Sequence, residues 1–199
     1  MNRIERVHNV YNNVLNMLSN RGYTIPSSLS ISFELFKKKY INDDYNVSVT
    51  HTTPVHTMCV VFNLHTKNKL QNIKQLLTDI YITHPIDTDR VILILNKKPN
   101  NVIKKFISSS LYKDKVELFW LSILQIDITT HCLQPKFILL SEDEKKTLLD
   151  KYDIKVHQLP KLPMQDPICR HYKYPKYSVV KIIRNSRESI STEFYRHVS

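Results

Sequence analysis

The chain has 199 residues, of which 42% are hydrophobic and 24% are charged, and this size and composition suit one large domain or two small ones. Its single glycine, Gly22, excludes a glycine-rich dinucleotide fingerprint and a P-loop, because each motif needs more than one glycine. The net charge of +11 favours polyanionic partners such as nucleic acid, or acidic protein surfaces. Positive charge is densest in residues 151–199, with 10 basic and 4 acidic side chains against 19 and 14 in residues 1–150.

Cysteine spacing and hydropathy argue against further classes of protein. The three cysteines lie far apart and form no C-x-x-C pair, which disfavours a structural zinc site. An odd number of cysteines favours reduced thiols in an intracellular protein. The charged N-terminus lacks the apolar stretch of a signal peptide, and no run of 18 apolar residues follows, so we expect neither secretion nor a membrane span.

The first forty residues predict two amphipathic helices. Apolar side chains recur every three or four residues over 3–20, and Gly22 follows at the C′ position that ends a helix. A second helix is predicted over 25–40, entered through one of several serines. The candidate entry serines are Ser27, Ser28 and Ser30, and the predicted apolar face is Leu29, Phe33, Leu35, Phe36 and Tyr40.

Strands and helices then alternate up to about residue 125. The segment 89–98 is continuously apolar at its centre, which predicts a strand buried on both faces of a sheet. The other predicted strands are 45–53, 57–64 and 115–124, and the predicted helices are 68–84 and 100–112. This alternation predicts an α/β layer fold with a mixed sheet.

From Thr129 onward the pattern changes to that of a small α+β module. Ser141 and Glu144 form a capping-box pattern that predicts the start of a helix. Two strands are predicted at the end of the chain, over 177–186 and 191–199. We therefore predict two domains, 1–128 and 129–199.

Three catalytic or metal-binding interpretations are weak. His51, His56 and His65 lack carboxylates at ligand spacing, so no metal site is expected. A basic neighbour such as Arg170 can lower the pKa of a thiol, so Cys169 is a candidate nucleophile. No supporting motif accompanies it, and an inert loop side chain is the favoured interpretation. A metal-dependent nuclease needs clustered carboxylates, and the central strands offer only Asp89 and Glu117.

The basic segment 96–106 is more informative. Lys97 and Lys98 precede a turn into a helix that carries Lys104 and Lys105. Such a segment can meet a phosphate backbone without reading sequence, and the alternative is a solvated lysine face. For residues 33–40, which also carry three lysines, the solvated face is favoured.

The most specific pattern lies in residues 158–198. It comprises Leu159-Pro160, Asp166-Pro167 followed by Arg170, Val-Val-Lys-Ile-Ile-Arg over 179–184, and Tyr195-Arg196. In order and spacing these blocks resemble the C-terminal signature of the fifth subunit shared by eukaryotic RNA polymerases I, II and III, which has an archaeal relative without the N-terminal domain. His131, Leu133 and Pro135 match a weaker upstream pattern of that family, and the total length is similar to the eukaryotic two-domain form.

This resemblance implies a non-catalytic subunit of a multisubunit DNA-directed RNA polymerase. The N-terminal domain would be a jaw with an inactive restriction-endonuclease-like fold beside downstream DNA. The C-terminal domain would be an assembly domain, similar to the archaeal relative, that docks on the largest subunit. The partners are the largest and other polymerase subunits and downstream DNA, with no cofactor, metal, membrane or homo-oligomer. DNA proximity is assigned to Lys97, Lys98 and Lys104, and docking to Leu159, Pro160, Asp166, Pro167, Arg170, Tyr172, Lys181, Ile183 and Arg184.

Side-chain alternation in the strand over 177–186 refines the docking hypothesis. Val180 and Ile182, together with Tyr195, are predicted to fill the small core. Val179, Lys181 and Ile183 are predicted to face a partner. The strand itself is predicted to offer an exposed edge for pairing with another chain.

The chain departs from the family in its loops. Lys173, Tyr177 and Ile190 stand where the family tends to keep glycines, and Pro175 enters the first loop. We expect the backbone to differ most there, because glycine-only angles are not available. The shortage of glycine and the abundance of Asn, Lys and Ile indicate a divergent lineage, and a large DNA virus is one source.

Two alternative functions and three locations stay open on the sequence alone. The alternatives are a metal-dependent nuclease-like enzyme and a free-standing basic nucleic-acid-binding protein. The family implies a nuclear location. A viral homologue would act in a cytoplasmic factory or be carried in the virion.

Overall fold

The computed structural model describes residues 2–41, 46–52, 55–64, 69–83, 90–109, 112–185 and 191–199. Contacts divide the chain into two compact units, Met1–Ile126 and Asp127–Ser199, and this division falls two residues before the predicted boundary. None of the helices formed by the described residues is long and apolar enough to cross a membrane.

The first unit is a mixed sheet between two helical layers. Strands β1, β2 and β3 pair antiparallel, and β3, β4 and β5 pair parallel, in the order β1-β2-β3-β4-β5. The elements are α1 (Arg3–Asn20), β1 (Tyr23–Thr24), α2 (Phe33–Ile41), β2 (Val47–Thr52), β3 (Val55–Asn63), α3 (Leu70–Thr83), β4 (Arg90–Leu95), α4 (Asn101–Ser109) and β5 (Val116–Trp120). This confirms the predicted α/β fold with a mixed sheet.

Strand β4 is buried on both faces, as its apolar sequence predicts. Ile92 and Ile94 belong to the core cluster that includes α1 and Phe36, while Leu93 and Leu95 belong to the cluster that includes α3 and α4. Val91 to Leu95 are all 0% exposed. Because side chains of a strand alternate between faces, this one strand supplies core residues to both helical layers.

The second helix is shorter than predicted. Residues Ser27–Leu29 form a single 3-10 turn, and the chain leaves helical geometry at Ser30, where ψ is 87°. Helix α2 begins only at Phe33. The apolar face shifts accordingly, since Phe36 is fully buried and Leu35, assigned to that face, is 51% exposed.

The second unit is a four-stranded sheet with two helices. Its strand order is β6-β8-β9-β7, with β6, β8 and β9 antiparallel and β7 parallel to β9. The elements are β6 (Lys136–Leu139), α5 (Glu142–Tyr152), β7 (Lys161–Leu162), α6 (Pro167–Tyr172), β8 (Val179–Asn185) and β9 (Ser191–Val198). The predicted capping box is present, because the Glu144 N–H donates to Ser141 Oγ and the Ser141 N–H donates to the Glu144 carboxylate.

Strand β8 lies in the middle of this sheet, so the prediction that it offers an exposed edge is wrong. Its neighbours on the two sides are β6 and β9. Strand β9, the last of the chain, and strand β6, which precedes α5, both pair with β8 through backbone hydrogen bonds. The outer strands of the sheet are β6 and β7.

The predicted division of side chains between the two faces of β8 is only partly right. Val180 and Ile182 are buried in the core, as predicted. Tyr195 pairs directly with Lys181 across the strands, and directly opposed residues share a face, so Tyr195 lies on the other face. Val179 is fully buried and therefore does not face a partner in this fold.

Left-handed backbone angles occur without glycine, which corrects the expectation for the loops. The sequence led us to expect that these positions would avoid the positive φ angles that glycine adopts. Instead, Lys173 has φ 54° and Tyr177 has φ 65°. This conformation costs a residue with a Cβ roughly 1–2 kcal/mol, but it is available. The third position, Ile190, lies outside the described residues.

Replacing Tyr177 with Asn should stabilise the second unit by about 0.5–1 kcal/mol, because Asn tolerates the left-handed conformation better than Tyr. Tyr177 is 60% exposed, so little packing is lost. The measurement is urea unfolding of the full chain, with hydrogen exchange of the β8 amides reporting on this unit. Tyr177→Ala is the matched control, since it removes the ring without relieving the strain, and an equal gain for both variants would contradict the explanation.

Candidate docking surface and candidate nucleic-acid interface

The Asp166-Pro167 pair begins helix α6, an element that the proline-rich sequence did not lead us to predict. The Ile168 N–H donates to the Asp166 carboxylate at 2.9 Å, and Pro167 occupies the first turn. An N-cap carboxylate followed by proline is a standard helix start, and this signal was present in the sequence. Asp166, predicted to dock, therefore has a capping role, and Arg170 follows one turn later with its side chain half-buried.

Leu159 and Pro160 immediately precede β7, the outer strand on the side of the sheet away from β6. The Leu159 carbonyl accepts from His197 Nδ1 at 2.8 Å, and the Pro160 carbonyl accepts from the His197 N–H at 3.0 Å. These two carbonyls hold β7 against β9. Sheet order separates this pair from the predicted docking residues of β8 by one strand.

Lys181 is held in an ion pair on its own sheet. Its ammonium group contacts the Glu193 carboxylate, at 2.5 Å, from the neighbouring strand. The hydrogen bond to Glu193 is the main cause that raises the pKa of Lys181, and Glu144 of α5 also raises it. The same bond lowers the pKa of Glu193. A docking role for Lys181 would therefore use a cation that already has a partner.

A groove brings Ile183 and Arg184 together with residues that sequence analysis did not select. Its volume is about 520 Å³, and its lining is Cys132, Leu133, Gln134, Pro135, Lys136, Ile183 and Arg184. Leu133 is 81% exposed there, and the Arg184 guanidinium lies 5.4 Å from the Phe194 ring centre. The weaker sequence pattern at Leu133 and Pro135 is the signal that could have indicated that Gln134 and Lys136 line this groove.

A second, smaller pocket links this groove to α6. Its volume is about 250 Å³, and its lining is Thr129, Gln134, Pro135, Lys136, Phe137, Ile168 and Tyr172. The two pockets share the segment 134–136. Tyr172 stacks on Tyr174 with ring centres 5.2 Å apart, and burial is the main cause that raises its pKa. Tyr172 therefore lines one pocket and Ile183 and Arg184 line the other, and residues 134–136 contribute to both.

Cys169 lies inside the second core and is not an activated thiol. It is 3% exposed, and desolvation, with a smaller effect of Asp166, raises its pKa to about 11. A catalytic thiolate needs a pKa lowered below the ordinary range. The favoured interpretation of an inert side chain is supported, although the residue lies in α6 rather than in a loop.

The three cysteines should differ sharply in reactivity. Cys132 is exposed, whereas Cys59 and Cys169 are buried, and burial raises the pKa of both buried thiols. At pH 8 we expect iodoacetamide to label only Cys132 in the folded chain and all three cysteines in urea, as measured by peptide mass spectrometry. Rapid labelling of Cys169 in the folded protein would contradict this description of the core.

Substitution of Asp166 should separate its capping role from a docking role. Asp166→Ala removes the acceptor for the Ile168 N–H and should lower stability by about 1 kcal/mol. Asp166→Ser keeps a capping oxygen without the charge and should recover most of that loss. Faster hydrogen exchange of the amides of residues 168–172 in the alanine variant is the readout, and equal exchange in the two variants would contradict the capping role.

In the first unit, the predicted DNA-proximal lysines follow the central strand. Lys97 and Lys98 lie just beyond the carboxyl end of β4, and both are exposed. Lys98 Nζ is 6.0 Å from the Trp120 ring centre. Lys104 is exposed on α4, whose first turn is capped by Asn100 Oδ1 accepting from the Ile103 N–H at 3.0 Å. The three lysines are therefore presented from one strand–turn–helix connection.

The carboxylates considered for a nuclease do not form a site in the described structure. Both Glu117 oxygens accept from the Arg21 guanidinium, at 3.1 and 2.9 Å, and Arg21 is 3% exposed in its side chain. Asp89 and His65 lie outside the described residues, and the side chain of His56 is not described. Among the residues that are described, no group of three or more His, Cys, Asp or Glu side chains is placed to hold a metal ion.

Comparison with known proteins gives a consistent result for both units. Residues 1–80 match the family described as RNA polymerase Rpb5, N-terminal domain, and residues 126–198 match RNA polymerase Rpb5, C-terminal domain. The chain is 30% identical to DNA-directed RNA polymerase V subunit 5A of Arabidopsis thaliana, over 89% of this chain and 82% of that protein.

Two further relatives extend the match over almost the full length. The chain is 29% identical to subunit RPABC1 of the DNA-directed RNA polymerases I, II, and III of Caenorhabditis briggsae, over 97% of this chain and 95% of that protein. It is also 29% identical to the corresponding subunit rpabc1 of Dictyostelium discoideum, over 94% and 93%. The resemblance based on residues 158–198 is therefore confirmed, and the chain belongs to the RNA polymerase Rpb5 family, as a non-catalytic subunit of a DNA-directed RNA polymerase.

Proposed function

We propose that the second unit docks this chain on the largest polymerase subunit, while the first unit forms part of the jaw beside downstream DNA. The observation that carries the docking proposal is the pair of pockets that share residues 134–136, one lined by Tyr172 and the other by Ile183 and Arg184. We call this the docking surface. It combines apolar groups, among them the exposed Leu133, with two basic side chains, Lys136 and Arg184, so it suits a partner segment with apolar and acidic side chains.

The free edge of β6 supports a specific mode of docking. In the described sheet β6 pairs only with β8, so one side of β6 is left for another strand. An extended partner segment can add to such an edge through main-chain hydrogen bonds, while its side chains enter neighbouring pockets. The docking surface begins at this edge, since Lys136 and Phe137 of β6 line its pockets.

The nine predicted docking residues therefore contribute unequally to this proposal. Tyr172, Ile183 and Arg184 line the docking surface. Asp166 and Pro167 act by starting α6, and Leu159 and Pro160 act by holding β7. Lys181 contributes through its ion pair with Glu193. Arg170 lies in α6 between Ile168 and Tyr172, which line the docking surface, and its contact with a partner is retained as part of the proposal.

The jaw assignment rests on the fold of the first unit and on its basic connection after β4. A mixed sheet with helices on both faces is compatible with an inactive restriction-endonuclease-like fold, and the ion pair between Glu117 and Arg21 leaves that carboxylate occupied. Lys97, Lys98 and Lys104 would approach the phosphate backbone of downstream DNA without reading its sequence. The chain would act as one copy within a hetero-oligomeric polymerase rather than as a homo-oligomer.

The proposal also includes a location. Relatives from several eukaryotes are subunits of polymerases I, II, and III, so we infer action in the nucleus. A virally encoded copy would instead act in a cytoplasmic factory or be carried in the virion.

Charge reversal at Arg184 tests the docking surface. Arg184 is exposed, so Arg184→Glu should leave the fold intact while it lowers recovery of the large polymerase subunits with the tagged chain by about tenfold. The measurement is affinity purification from the native source followed by quantitative mass spectrometry. Lys146→Glu, an equal charge change on the exposed side of α5, is the matched control.

Three outcomes decide the proposal. Reduced recovery for Arg184→Glu alone supports the docking surface. Equal recovery for the two variants would place docking elsewhere. Recovery of the unaltered chain without large subunits would contradict the polymerase assignment and favour a free-standing nucleic-acid-binding protein.

A further inference from the structure

The three parallel strands of the first unit end together at one edge of the sheet. Asn63 of β3 pairs with Leu95 of β4, and Leu95 pairs with Trp120 of β5. Their continuations, Leu64, Asn96 and Leu121, therefore leave the sheet side by side. The carboxyl ends of parallel strands are where ligands commonly bind in open α/β sheets.

Helix α1 packs along the sheet, and its first turns are held at this edge by contacts to the chain that follows β3 and β5. The Arg3 guanidinium donates to the Leu64 carbonyl at 3.2 Å. Gln125 Nε2 donates to the Arg6 carbonyl at 3.1 Å, and Asn13 Nδ2 donates to the Leu124 carbonyl at 2.8 Å. These contacts hold the N-terminal half of α1, and the side chains it carries, at the edge of the sheet.

The result is a basic pocket of about 350 Å³, lined by Arg3, Arg6, Asn96 and Leu121. Its lining contains no carboxylate among the residues that the structure describes. The acidic residue of the same helical turn, Glu5, accepts from the Asn2 N–H at 2.9 Å. Lys97 follows Asn96 directly, and Lys98 lies near Trp120, the residue before Leu121. We call Arg3, Arg6, Lys97 and Lys98 the basic edge.

We propose that the basic edge binds the phosphate backbone of double-stranded DNA, with Arg3 and Arg6 as phosphate-contacting residues. This rests on the proposed position of the first unit beside downstream DNA, and it adds two residues that the sequence analysis assigned to no site. The guanidinium fork can donate two parallel hydrogen bonds to one phosphate, which an ammonium group cannot do. Asn96 adds an amide donor in the same pocket. Such contacts position a duplex but do not read its sequence.

Two neighbouring arginines on one helix suit this role. Residues three apart lie on the same face of a helix, with Cβ atoms about 5–6 Å apart. Successive phosphates of one DNA strand advance by about 3.4 Å along the duplex axis, so long flexible side chains can reach two of them. The Arg3 contact with the Leu64 carbonyl uses one terminal nitrogen of the guanidinium group.

The test compares three double variants that lose the same charge, one of which is Lys97→Ala/Lys98→Ala. Arg3→Ala/Arg6→Ala removes the arginines of the basic edge, and Lys37→Ala/Lys38→Ala removes two exposed cations from α2. The full-length chain is titrated into a fluorescent duplex of mixed sequence about 20 base pairs long, and anisotropy is recorded at several salt concentrations between about 50 and 200 mM. Circular dichroism checks that each variant is folded.

We expect the arginine variant to bind about tenfold more weakly at the lowest salt and the α2 variant to bind like the unaltered chain. Each lost phosphate contact should also reduce the slope of log affinity against log salt by about 0.9, so the arginine variant should lose nearly two units of slope. The affinity loss should be the same for duplexes of different sequence.

Other outcomes overturn the inference and separate its failure from failure of the proposed function. A loss for Lys97→Ala/Lys98→Ala but not for the arginine variant would leave the jaw proposal standing and reject the arginines. Equal affinities for all variants, or no binding by the unaltered chain at the lowest salt, would reject both DNA contacts while co-purification still decides the docking role. Equal displacement of the duplex by poly-glutamate would favour an acidic protein partner and contradict the assignment to DNA.

Discussion

Each unit is organised around one central strand that supplies fully buried side chains to its core. In the first unit this strand is β4, in which Val91 to Leu95 are fully buried. In the second it is β8, in which Val179 and Val180 are fully buried and Ile182 is 4% exposed. Burial of such a side chain contributes roughly 1.5–3 kcal/mol. In the first unit, the need to cover both faces of β4 accounts for α1 on one side of the sheet and α3 and α4 on the other.

The two proposed surfaces lie toward the carboxyl ends of these central strands, where the chain leaves the buried core. Lys97 and Lys98 follow β4, and Arg184 lies near the end of β8. Since the cores are close-packed, the connections that leave them start from fixed positions. The proposed contacts, one with protein and one with DNA, would need only such fixed surfaces, because this polymerase subunit is non-catalytic.

The shortage of glycine causes backbone strain at a few turns but leaves the fold unchanged. With one glycine in the chain, left-handed backbone must be adopted by residues that carry a Cβ, and Asp153, Lys173 and Tyr177 do so. Two of these flank the turn between α6 and β8. The backbone path there is retained with strain, because the hydrogen bond from the Tyr177 N–H to the Val198 carbonyl, at 2.8 Å, and the buried Tyr174 hold the turn in place.

The sequence by itself determined the family, the mixed α/β character of the first unit, and most helices and strands, because hydrophobic periodicity and capping residues are local signals. β4 and α5 are the clearest cases. It did not predict α6, although Asp166-Pro167 marked its start, since the surrounding prolines indicated a loop.

Only the tertiary structure decided which predicted residues share a surface. Sequence order cannot show that β6 and β9 enclose β8, so it could not show that β8 lacks a free edge or that Tyr195 lies opposite Lys181. Nor could it bring Arg3 and Arg6 to Asn96, far away along the chain, because that depends on α1 packing along the sheet with its first turns at the carboxyl ends of the parallel strands. Strand pairing and helix packing join residues distant in sequence, and local patterns do not encode those contacts.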